Sequence, residues 1–430
     1  MSVSGGELRR VVGVPGAVLL GLGSILGTGI FVSVGVAAEV AGSAVVLAVV
    51  LAAFVATFNG LSSAQLAASH PVSGGTYEYG YRYLSPALGF SAGWLFLLAK
   101  SASAATAALG FSGYALNMAG RSGRVETVAL ALALVASITF VVAAGLRRSS
   151  RANAVIVSLT LLALVAFSIA ALPAAIERGA ENLWPLFSAE TGGMSALFHA
   201  TALMFVAYTG YGRIATMGEE VQKPRETIPR AMIATLAVSM AVYAVVAAVA
   251  VGAAGAATLG EATRATAAPL EVVAQKLGLP AIAAVVALGA VVAMVGVLLN
   301  LLLGLSRVLL AMSRRGDMPG GLSRVEEASG SPRRAVLVMG AVVAALVLTG
   351  SVRVTWSFSA FTVLVYYALT NLAALRIAAD DRLYPRAIPV AGLVACLGLA
   401  FWVEPMIWLA GLGLIALGLV WHLVARRLRG

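Results

Sequence analysis

The chain alternates long apolar stretches with short polar connections. Crossing the hydrocarbon core of a bilayer takes a helix of about 20 apolar residues. Windows of that kind fall at about 14–38, 43–68, 87–117, 127–146, 153–172, 195–217, 231–254, 281–312, 335–350, 356–377, 387–403 and 405–424. The pattern predicts an all-α polytopic membrane protein of about twelve crossings, because only helices satisfy their own backbone polar groups in lipid at this length. Arg9 and Arg10 precede the first window as they would in a secretory signal. That window is as long as a full span and has no A-x-A-like cleavage site, so it is read as a retained helix.

Composition supports this reading. The chain is 60% hydrophobic and 11% charged, against about 25% charged in soluble domains. A net charge of +11 would suit a nucleic-acid binder if it covered one face. Here the charges sit in the connections, which argues against that class. With the N-terminus cytoplasmic, the outer connections hold only Arg121, Arg124, Arg178, Arg264, Lys276 and Arg353. Most of the 29 Lys and Arg then lie inside, which predicts an inner-membrane protein with both termini cytoplasmic. The single cysteine, Cys396, excludes an internal disulfide. His70, His199 and His422 are too far apart in the pattern to form a metal site, and no phosphate loop, nucleophile motif or cofactor motif is present, so an enzyme is not expected.

Two windows carry internal breaks. The first contains Gly27-Thr28-Gly29-Ile30-Phe31, and the sixth contains Phe205-Val206-Ala207-Tyr208-Thr209-Gly210-Tyr211-Gly212-Arg213. Each glycine weakens a helix by about 1 kcal/mol relative to alanine. Interrupted helices at corresponding places in two halves mark transporter binding sites, and a break exposes amides and carbonyls that must line a cavity. A half-helix starting after Gly27 would aim amides at a carboxylate, and one ending near Tyr208 would aim carbonyls at an ammonium group. The pair describes a clamp for a zwitterion. Close helix packing is the competing use of such glycines.

At these residues the chain resembles the amino acid–polyamine–organocation superfamily, with the leucine-transporter type of fold, in the bacterial branch near the cationic amino acid transporters. Gly27 to Phe31 is similar to the G-[ST]-G-I-F signature of the first helix. Pro71 to Tyr77, Glu219 to Arg230 and Gly304 to Met312 are similar to segments after the second, after the sixth and at the end of the eighth helix. The resemblance covers nearly the whole chain. It implies a five-plus-five inverted repeat, with helices 1–5 in residues 1–172 and helices 6–10 in residues 195–377, followed by two additional helices in 387–424. It also implies substrate contacts at Ile25, Gly27, Thr28 and Gly29 and at Phe205, Ala207, Tyr208 and Gly210, with an aromatic gate near Phe205 or Tyr208.

The chain also departs from that family. Several proton-linked relatives carry a lysine in the fifth helix in place of a sodium ion; the matching position here is Thr160. The related sodium site uses hydroxyls of the eighth helix, yet Ala281 to Leu305 contains no Ser or Thr. Sodium would depend on carbonyls, Thr160 and Asn300, and is disfavoured. Lys100, deep in the third window, is an ionisable group at a costly depth. It is a candidate proton carrier, against a lysine held structurally by carbonyls. Arg213 is read as an inner-gate residue pairing with Glu219 or Glu220, against a contact to an anionic substrate. No Asp or Glu lies within a window, so a cationic side chain would find no partner.

These readings predict a secondary active transporter of amino acids working by alternating access. Its substrates are expected to be neutral, with acidic ones also admitted, and its coupling by proton symport or exchange. The alternatives are a non-transporting amino-acid sensor or subunit, and a transporter of cationic amino acids or polyamines. The partners are the substrate, a proton and the bilayer, without nucleic acid, in a monomer or homodimer.

Overall fold

The computed structural model describes residues 12–72, 74–145, 150–187, 193–216, 221–326 and 330–427. Among them there is no strand, only an isolated pairing of Val12 with Val221. The first crossing is split into α1 (Val14–Ile25) and α2 (Val34–Ala41), joined by a turn and a π-helical segment, Gly29–Ser33. Then come α3 (Val45–Ser69), the short α4 (Thr76–Tyr83), α5 (Pro86–Met118), α6 (Arg124–Ala143) and α7 (Ser150–Leu183). The sixth window holds α8 (Gly193–Tyr208), a 3₁₀ turn at Thr209–Tyr211 and α9 (Gly212–Ala215). It is followed by α10 (Pro224–Ala254), the short α11 (Ala256–Thr266) and α12 (Pro269–Lys276), and α13 (Pro280–Arg315). The chain ends with α14 (Arg333–Val347), α15 (Val352–Ala374), α16 (Ala387–Ala400) and α17 (Pro405–Arg427).

Each apolar window overlaps a helix or a helix pair among the described residues. Eight stretches among the described residues are long and apolar enough to span a membrane, the first of them Val14–Ser69, which contains α1 to α3. α14 and α16, at 15 and 14 residues, and the broken pair α8 and α9 are shorter. α7 runs on to Leu183, beyond the window that ends near 172. Its last turns carry the exposed Glu177, Arg178 and Glu181. Ala, Glu and Arg favour helix as well as apolar residues do, so hydropathy marks where a span ends and not where its helix ends.

In lipid, helices associate through close packing and hydrogen bonds, since burial from lipid brings little hydrophobic gain. α15 has 83% of its apolar window buried and α17 only 17%, so α15 lies inside the bundle and α17 faces outward. A seam of paired hydroxyls joins α15 to α5: Ser103 with Ser359 and Thr106 with Thr355, both at 2.7 Å. A second polar joint links three helices. Asn371 of α15 donates to Asn59 Oδ1 of α3 at 2.6 Å, and the buried Cys396 of α16 donates to the same oxygen at 3.3 Å.

The two ends of the bundle are tied differently. At one end the buried Asp317, just past α13, accepts hydrogen bonds from Tyr77 and Tyr81 of α4, both at 2.7 Å. At the other end Arg353 of α15 pairs with Glu39 of α2 at 2.7 Å and with Glu404 at 3.0 Å, and Glu404 also meets His199 of α8 at 3.3 Å. Burial alone would raise the Glu404 carboxyl, but hydrogen bonding and charge from His199, with Arg353, hold it down at about 2. Glu271 of α12 has no such cation, and burial pushes it up to about 7 against the lowering effect of Asn117. A raised carboxyl destabilises the fold as pH rises from the ordinary value of 4.5 through about 7. Glu271→Gln is therefore expected to raise the melting temperature of the purified protein at pH 8 and to leave it unchanged at pH 4. An equal shift at both values would show that proton linkage is not the cause.

Candidate functional site

The two breaks face one another. α1 ends at Ile25, Leu26 takes an extended conformation (ψ 105°), and the chain re-enters helix at Gly29. The second break is milder, a tightening into a 3₁₀ turn over Thr209–Tyr211. At their contact a Cβ on Gly210 would run into the Ser24 carbonyl, and one on Gly29 would lie 2.7 Å from the Ala207 Cβ. Tyr243 of α10 serves both breaks: its hydroxyl donates to the Ile25 carbonyl at 2.7 Å, with the Ala207 carbonyl at 3.4 Å. Ile25 lies in the last turn of α1, where carbonyls lose their helical partners. Tyr243→Phe strands that carbonyl, a loss on the order of 1–3 kcal/mol. Substrate counterflow in proteoliposomes is expected to fall about tenfold or more; a rate within twofold of the parent would show that the break does not depend on this bond.

A cavity of about 480 Å³ opens at this junction. Its wall on α13 is one face of the helix, Val297, Asn300, Gly304, Arg307 and Ala311. At 1.5 Å per residue that stripe is about 20 Å long. From the breaks the cavity extends toward the end of the bundle that carries α4, where Tyr77, Arg213 and Thr216 line it. Glu39, Arg353 and Glu404, the ion-paired groups of the opposite end, do not line it. The lining includes the cations Lys100, Arg213 and Arg307 and, among the described residues, no carboxylate.

Of the expected substrate contacts, Ile25, Thr28, Gly29, Ala207 and Gly210 line the cavity. Gly27, Phe205 and Tyr208 do not. Gly27 backs onto Val297, Phe205 packs edge-on against Tyr367, and Tyr208 donates to the Val49 carbonyl at 3.2 Å. The Thr28 hydroxyl is buried with no protein hydrogen-bond partner, in the cavity wall and beside the start of the second half-helix. A helix start leaves its first amides without intrahelical acceptors, so this corner is suited to an anionic group.

Lys100, Arg213 and Asn300 line the cavity as well. Lys100 Nζ donates to Thr209 Oγ1 at 2.9 Å, which places the ammonium at the second break. Thr209 in turn donates to the Val206 carbonyl at 2.8 Å. Asn300 donates to the Gly23 carbonyl at a long 3.4 Å. Thr160 does not reach the cavity; its hydroxyl donates to the Ile156 carbonyl of its own helix at 2.7 Å. Glu219 and Glu220, expected beside Arg213, lie outside the described residues.

Sequence reasoning missed Tyr243 and the wall contributed by α15, which presents Trp356, Tyr366 and Tyr367. The signal for Tyr243 was available: it is the one aromatic residue in the otherwise aliphatic middle of α10. α15 gave no such cue, because it is buried around most of its circumference and its hydroxyls at Thr355 and Ser359 pair with α5.

The chain matches the family described as amino acid permease over residues 16–426. It is 40% identical to a transporter from Mycobacterium tuberculosis, over 98% of this chain and 94% of that protein. It is 29% identical to a branched-chain amino acid permease from Bacillus subtilis, over 79% of this chain and 75% of the relative. A vacuolar cationic amino acid transporter from Arabidopsis thaliana is 25% identical, over 80% of this chain and 55% of the plant protein. With apolar helices throughout, two broken ones around a shared cavity, and a family match from residue 16 to residue 426, this multi-pass membrane protein belongs to the amino acid permease family.

Proposed function

We propose that the protein is a secondary active transporter of neutral amino acids in the bacterial inner membrane, with both termini cytoplasmic. The observation that carries this reading is the cavity at the two breaks, which offers amide, hydroxyl and carbonyl groups together with cations, and no carboxylate among its described residues. The Thr28 corner would take the substrate carboxylate, and carbonyls near the second break the ammonium group. A cationic side chain would meet Lys100 and Arg307 and no carboxylate among the described lining residues, at a cost of several kcal/mol in a dry site. The branched-chain relative fits this electrostatics better than the cationic one.

In this reading helices 1–5 (residues 1–172) and 6–10 (residues 195–377) form inverted repeats that rock about the breaks, and helices in 387–424 are additions. Coupling is by proton symport or exchange. Sodium is disfavoured because Ala281 to Leu305 supplies no Ser or Thr hydroxyl as a ligand. The test is counterflow in proteoliposomes loaded with a mixture of neutral amino acids, followed with labelled alanine, leucine and arginine. Saturable neutral exchange with arginine at background is expected. Saturable arginine uptake that excess alanine does not compete would overturn the substrate assignment. Absence of exchange for every amino acid tested would overturn transport itself.

A further inference from the structure

We propose that the connection between α15 and α16 is a binding site for the phosphate of an anionic phospholipid. An open recess lies there, lined by Leu372, Leu375, Arg376, Ile377, Arg382 and Arg386, with residues 378–379. Arg376 comes just after α15 and Arg386 just before α16, so the recess lies where two membrane helices leave the apolar layer. Lys and Arg at that level interact with lipid headgroups.

Among the described residues no carboxylate is paired with Arg376, Arg382 or Arg386. Asp381, in the same connection, is turned to Arg225 of α10 at 3.3 Å, and neither it nor Asp380 lines the recess. Arg382 donates to the Ile377 carbonyl at 2.9 Å, which fixes its guanidinium at the rim. Arg376 and Arg386 form no ion pair among the described residues. Three arginines thus line one recess with no carboxylate among its described lining residues, and phosphate oxygens accept guanidinium N–H groups in pairs.

The neighbouring surface identifies the anion as a lipid. From Arg386 an apolar stripe runs along α16 through Val390, Val394 and Leu397, which are 46%, 66% and 45% exposed. The spacing of four and three residues keeps all three on one face. That stripe gives acyl chains a track leading away from the recess, which a free phosphate ion would not use. The ligand class is thus a phospholipid with net negative charge, of the phosphatidylglycerol or cardiolipin kind.

The experiment uses the full chain purified in detergent and incubated with phosphatidylglycerol, phosphatidylcholine or inorganic phosphate, with lipid retention read by native mass spectrometry. Phosphatidylglycerol is expected to be retained over phosphatidylcholine. Arg376→Gln with Arg386→Gln is expected to lower that retention about tenfold or more. Arg426→Gln with Arg427→Gln, which removes the same charge from the end of α17, is expected to leave it unchanged. Thermal melting of each variant without lipid separates lost binding from lost folding, and Arg376→Lys with Arg386→Lys is expected to fall between the parent and the glutamine pair, because lysine keeps the charge without the paired N–H groups. Undiminished retention in the glutamine pair, an equal loss in the α17 pair, or full displacement of the lipid by millimolar inorganic phosphate would each overturn the proposal.

Discussion

Gly210→Val is expected to cut transport about 100-fold. The position is the tightest contact between the two broken helices: even a single added carbon runs into the Ser24 carbonyl, and it would lie 2.7 Å from Ile25 Cγ1. The first obstacle is backbone, which cannot swing aside as a side chain can, so α1 and the 3₁₀ turn would have to separate. Overpacking of this kind costs 1–3 kcal/mol or more, and at about 1.4 kcal/mol per tenfold, counterflow should drop at least tenfold and, with valine, about 100-fold. Gly304 lines the same cavity, and a Cβ there would have only Phe96 at 3.9 Å, an ordinary contact. Gly304→Ala is the matched comparison and should keep most of the rate. Comparable rates for the two variants would show that the closeness of the breaks does not matter to the transport cycle.

Lys100→Met is expected to separate exchange from accumulation. The side chain reaches the second break through Thr209, so it lines the cavity at the break opposite Thr28. If Lys100 carries the coupled proton, each unit of pH gradient is worth about 1.4 kcal/mol, or roughly tenfold accumulation of substrate. The methionine variant should lose that accumulation and retain counterflow within a few fold. Uphill uptake that persists in Lys100→Met and follows an imposed sodium gradient would assign the coupling elsewhere and make Lys100 a structural donor to Thr209.

Legibility in the sequence followed how locally each feature is encoded. Spans were readable because a run of apolar residues is a property of neighbours in the chain. The first break was readable because Gly27 and Gly29 flank Thr28, and three of the four residues expected there as contacts line the cavity. The second break was placed correctly but its character was not. Thr209 takes a hydrogen bond from Tyr367 on its carbonyl at 3.3 Å and from Lys100 on its hydroxyl, so distant residues hold the segment as a 3₁₀ turn. Phe205 and Tyr208 were expected at the substrate and instead support the turn from behind, because which side of a half-helix faces the cavity depends on its partners. Arg307 sits inside a quoted motif yet was given no role; only the stripe from Val297 to Ala311 shows that it belongs to the cavity wall.

The burial of Cys396, on α16 and hydrogen-bonded to Asn59 of α3, makes the native chain nearly silent to thiol reagents. A cysteine introduced at Thr216 or Ala311, both on the cavity wall, would then be the one readily labelled site in an otherwise unaltered protein. A bulky, membrane-impermeant maleimide applied to intact cells and to inverted vesicles would report from which compartment that wall is reached, and how the answer changes when substrate is present. The lone thiol thus supplies a built-in blank against which the sidedness of the transport cycle can be timed.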